Sequence, residues 1–194
     1  MMQMPDQRWF NVVAGIAVVV VIAGGAAAFL ASPSGPGHST TQSGSSIPTV
    51  YRNLTIAYNV RSGMFDYSSL QLNVPLNTRV EFTITNFDTA TAAVPMASDA
   101  QVAGTFGGPM TVAMGGMMST MSGLSVNDVS HTFTLSNGYY HVNVPIPPAS
   151  SAGSPVKVSF SVVFNHAGTF AWGCVILCGP LGMPDAMDGY VTAS

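Results

Sequence analysis

The chain has 194 residues, which suits one membrane anchor plus one domain of ordinary size. Only 7% of the residues are charged against 47% hydrophobic, and the net charge is −3. The basic residues Arg8, Arg52, Arg61, Arg79 and Lys157 are scattered, which excludes a nucleic-acid partner, because phosphate binding needs clustered Lys and Arg.

The first element is an uncharged apolar run, FNVVAGIAVVVVIAGGAAAFLA, over residues 10–31. About 20 apolar residues cross a bilayer as a helix, whereas a signal-peptide core needs only about 7–15. The run therefore predicts a transmembrane α-helix, with a short cytoplasmic N-terminus at residues 1–9 held inside by Arg8. The rest of the chain is then extracytoplasmic, on a single-pass protein of the cell membrane. Cleavage after Ala28, in a stretch of small residues, is the alternative. Residues 32–47 are rich in Ser, Gly and Pro and read as a linker, in which His38 is a solvated side chain.

From residue 48 onward the pattern is all-β. TVYRNLTIAYNV (49–60) and RVEFTIT (79–85) alternate apolar and polar residues, with the shorter SSLQLNVPLN between them. Later come HTFTL (131–135), VKVSFSVVF (156–164), TFAWGC (169–174) and GYVTA (189–193), separated by Gly, Pro, Asn and Ser. Such spacing predicts a β-sandwich or barrel. Asn53-Leu54-Thr55 is also an N-glycosylation sequon, a short pattern that arises by chance as well.

Chemistry gathers near the C-terminus. Cys174 and Cys178, the only cysteines, share a loop with Met183 and Met187. Thiolate and thioether ligands on one loop suit copper, above all cuprous copper, better than zinc. A histidine from another strand would complete the set, and His131 opens the HTFTL strand. His141 and His166 read as structural or solvated, and Trp172 as core.

The segment Asp128-Val129-Ser130-His131-Thr132-Phe133 resembles the Asp-Val-x-His-Ser-Phe stretch of subunit II of the haem-copper oxidases. That family continues with Gly-x-Tyr/Phe and then Cys-x3-Cys-Gly-x-x-His-x-x-Met. Here Gly168-Thr169-Phe170, Trp172, Cys174, Cys178 and Gly179 follow the pattern. The chain is thus similar to the copper-A domain of the cupredoxin superfamily, loosely over 48–194 and well over 128–193. The resemblance implies a Greek-key β-sandwich, electron transfer, and a metal held by His131, Cys174, Cys178, Met183 and Met187. It departs at the second histidine: Gly182 stands in its place, Met183 follows, and Met187 precedes Gly189. Ile176 replaces a Glu that the family uses through its carbonyl.

Three readings of the cysteines stand. Both bridge two coppers, with His131, Met183 and Met187 as terminal ligands; or one copper binds His131, Cys174 and Met187, with Cys178 or another group completing the site; or the pair is a disulfide without metal, as exported domains favour. Exchange of His for Met removes a proton competitor for the metal, which suits an acidic exterior. Residues 87–126 read as an insertion carrying Met110, Met114, Met117, Met118 and Met121, whose spacing fits a helical stripe packed on the barrel or a partner, or a cuprous relay. The expected function is electron transfer, free on the membrane or with oxidase subunits or a redox partner protein. The alternatives are copper delivery or storage, and a metal-free sandwich. No nucleophile or acid–base pair points to catalysis by the chain alone.

Overall fold

The computed structural model describes residues 47–176 and 187–194. The predicted anchor and linker, with Cys178 and Met183, lie outside the described residues. Among the described residues no helix is long and apolar enough to cross a membrane.

The described residues form eleven strands and one short 3-10 turn, Ala97–Ala100. In chain order the strands are β1 (Thr49–Asn59), β2 (Met64–Tyr67), β3 (Gln71–Val74), β4 (Thr78–Asn86), β5 (Met110–Met114) and β6 (Met117–Met121). Then follow β7 (His131–Ser136), β8 (His141–Ile146), β9 (Val156–Phe164), β10 (Gly168–Trp172) and β11 (Gly189–Ala193). One sheet has the order β2-β1-β4-β9-β5-β6, and the opposing strands are β10-β11-β3 and β7-β8. The last two groups are joined where Thr134 and Gly173 exchange both backbone hydrogen bonds at 2.9 Å.

Alternation dictates which side chains meet between the layers. In β4, Val80, Phe82 and Ile84 are buried while their neighbours are only partly covered, and β9 buries Val156, Val158, Phe160, Val162 and Phe164 in the same way. Phe82 and Phe160 stack with centroids 5.2 Å apart, and Phe133 of β7 meets them from the opposing layer at 5.2 and 5.3 Å. Trp172 of β10 stacks on Phe133 at 4.8 Å and meets Tyr67 edge-on. Trp172 is therefore a core residue, as its strand position predicts.

Residues 87–126 differ from the sequence expectation. The methionine spacing reflects a hairpin, not a helix: β5 and β6 pair antiparallel, with Met110 opposite Met121 and Met114 opposite Met117. The cause is Gly115-Gly116, with φ of 59° and 81°, the left-handed conformation of a tight two-residue hairpin turn. Nor is the segment a mere insertion, since β5 pairs with β9 from Thr111↔Ser159 to Ala113↔Lys157 and extends the main sheet. Gly116→Val is expected to strain this turn by about 1–2 kcal/mol. Hydrogen exchange should then show lost protection in β5 and β6 while β4 and β9 keep theirs.

The register also orients the sandwich. Asn86 at the end of β4 lies opposite Val156, and Ala113 lies opposite Lys157, so the β5–β6 turn and the residues after β4 share one end. Thr49, where the chain enters β1, is paired with Arg79 at the other end.

Candidate metal centre

His131 begins β7 at the same end of the sandwich as Asn86, and is only 3% exposed. Its Nε2 lies 3.0 Å from Oδ2 of Asp88, two residues beyond β4. A carboxylate only accepts, so Nε2 donates to it, and in the neutral form of the ring the lone pair then lies on Nδ1. That Nδ1 is buried and has no hydrogen-bond partner. An imidazole fixed by a carboxylate through one nitrogen, with the other bare, has the arrangement of metal-binding histidines.

Asp88 is itself held in place. The Ala90 N–H donates to its Oδ1 at 2.9 Å, its own N–H donates to Asn86 Oδ1, and Asn86 in turn donates to the Pro147 carbonyl at 2.9 Å. Burial alone would raise the Asp88 carboxyl. The His131 hydrogen bond, the backbone N–H groups of Ala90 and Thr89 and the charge of His131 outweigh it and hold the carboxyl below its usual range. Sequence reasoning did not find Asp88, because its partner lies 43 residues away and nothing local marks the pair.

Cys174 is stitched to the same strand. The Thr132 N–H donates to Cys174 Sγ at 3.4 Å, and the Val175 N–H donates to the Thr132 hydroxyl at 3.0 Å. From the other side, the buried Tyr67 hydroxyl donates to the Thr132 carbonyl at 3.0 Å, and burial pushes that phenol far above its usual range. Thr132, adjacent to the histidine, thus fixes the cysteine's position. A Cβ at Gly173 would run into Asp188 Oδ1, so a larger residue there would displace the Asp188 side chain. Cys174 is 5% exposed and disulfide-bonded, and no described cysteine is free. Met187, just before β11, is 2% exposed and belongs to the core cluster.

The structure thus places Cys174 against the backbone of Thr132, the residue after His131, with Met187 buried before β11 and Asp88 hydrogen-bonded to the histidine. Neither remaining described histidine lies near. His141 is exposed, pairs with Ser136 and meets its hydroxyl at 3.2 Å, which is five strand residues or about 17 Å from His131. His166 stacks on the exposed Tyr139 at 4.4 Å. His131, Cys174 and Met187 carry nitrogen and sulfur donors, soft sulfur being of the kind copper accepts, and the His131 Nδ1 has no hydrogen-bond partner.

Asp88→Asn retains the shape and an acceptor but removes the charge. Copper affinity is expected to fall by about 10–100-fold, as for other changes behind a ligating histidine. A competition titration against a chelator measures this.

No protein-family model and no curated protein matches the chain. Among solved structures, the chain is similar to rusticyanin from Thiobacillus ferrooxidans, at 12% identity over 75% of this chain and 77% of that one, with a TM-score of 0.41. A reduced rusticyanin matches at 12% identity over 75% and 79%, with a TM-score of 0.39. A chain of a haem-copper terminal oxidase dimer matches at 14% identity over 77% and 66%, with a TM-score of 0.35.

Proposed function

We propose that this is a membrane-anchored, extracytoplasmic copper protein of the cupredoxin type that carries electrons. The observation that carries the reading is His131: buried, held through Nε2 by Asp88, with Nδ1 bare, on the strand that also positions Cys174. His131, Cys174 and Met187 would hold the metal, together with Cys178 and Met183 from outside the described residues. Copper would supply one-electron redox chemistry. The protein's part would be a rigid frame, in which β7, Thr132 and Asp88 hold the donor side chains in place.

The anchor is residues 10–31. The chain enters the sandwich at Thr49, at the end opposite the candidate centre.

The test is to reduce the protein, load copper, and record metal content with visible and paramagnetic-resonance spectra. One ion with an intense thiolate-to-copper band supports a mononuclear site, and a delocalised mixed-valence signal supports a copper pair. Failure to bind copper after full reduction overturns the reading. A second reading, a metal-free sandwich closed by a disulfide, is favoured by the bonded state of Cys174. It predicts no titratable thiol before reduction and no bound metal after it.

A further inference from the structure

The β5–β6 hairpin holds two cross-strand methionine pairs in very different surroundings. Side chains directly opposite one another in an antiparallel pair share a face, with Cβ atoms about 4.5–5.5 Å apart. Met110 is fully buried and Met121 packs partly against the core, so filling space accounts for that pair. Met114 and Met117 are 38% and 75% exposed, and neither belongs to the core or packs against it. They sit immediately before and after the Gly115-Gly116 turn, so the hairpin register itself places them side by side.

Their electrostatic surroundings are equally particular. Residues 100–127 contain no charged side chain. Lys157, the nearest cation in the pairing pattern, is opposite Ala113, which is opposite Met118. It therefore shares the face of Met118 and not that of Met114 and Met117. Packing explains an apolar side chain that is covered, and this pair is not covered.

We propose that Met114 and Met117 form a second metal site, a surface clasp for cuprous copper. Two neutral thioethers are soft donors that select cuprous over divalent ions, and they have no proton to lose, so the site binds in acid as well as at neutrality. The site is independent of His131 and Cys174, although it lies at the same end of the sandwich. Met118 is 75% exposed but on the opposite face, which makes it the internal control.

The experiment uses the full chain in detergent, labelled at the methionine methyls, with silver(I) as a redox-inert probe and cuprous copper buffered by a competing chelator. Running it also on the His131→Ala, Cys174→Ser, Cys178→Ser chain separates this site from the centre above. The Met114 and Met117 methyl signals should shift together, with those of Met110 and Met118 unmoved. Met117→Leu should weaken cuprous binding at the clasp by about tenfold or more, since even changes behind a ligand cost that much. Met118→Leu should leave it unchanged. An equal response from all exposed methionines, or wild-type affinity in Met117→Leu, overturns the proposal. So does an absence of any shift.

Discussion

His131→Ala is expected to abolish copper retention, with metal affinity falling by more than the roughly 10–100-fold of a change behind the ligand. The imidazole is the only described donor that is buried, pre-oriented by a carboxylate and bare at its second nitrogen. Its loss should leave the sandwich folded, because β7 is held by the β8 ladder and the Thr134–Gly173 exchange, not by the ring. Asp88 would keep the Ala90 N–H but lose its charge-assisted partner, at a cost of about 1–3 kcal/mol. Metal content after dialysis against a chelator, with near-ultraviolet circular dichroism as the fold check, measures both effects. His141→Ala, at the far end of β8, should retain full copper. A full complement of copper in His131→Ala would remove the metal assignment.

Phe133→Ala is expected to cost about 3–5 kcal/mol of stability. Phe133 is fully buried and touches Phe82 and Phe160 of one layer and Trp172 of its own, all with centroids within 5.3 Å. The cavity would open at the junction of the two layers, where rigid strands on both sides leave little scope for collapse. Denaturant unfolding of the metal-free protein should show a lower midpoint with an unchanged slope. A loss under 1 kcal/mol would mean that the aromatic cluster is not the centre of the core.

The sequence made the all-β class readable because strand alternation is local. β1, β4, β9 and β11 follow it closely, and the strand at His131–Ser136 was placed by the same signal. β2 and β8 escaped it. β2 has only four residues, and β8 buries a run through Val144, Pro145 and Ile146 that does not alternate. The methionines at 110, 114, 117 and 121 fit a helical period equally well; the pair of left-handed glycines decided for the hairpin.

By itself the sequence supplied the candidate donors: a histidine heading a strand, two cysteines on one loop, and methionines where the pattern it resembles has a second histidine. It also carried the apolar run at residues 10–31, whose reading depends on length and hydropathy alone. Only the tertiary structure decided which atoms meet. Asp88 pairs with His131 because β4 ends beside the start of β7, and Thr132 reaches Cys174 because one bridge ties β7 to the end of β10. Those contacts span about forty residues, and strand register, which no local pattern encodes, is what brings them within hydrogen-bonding distance.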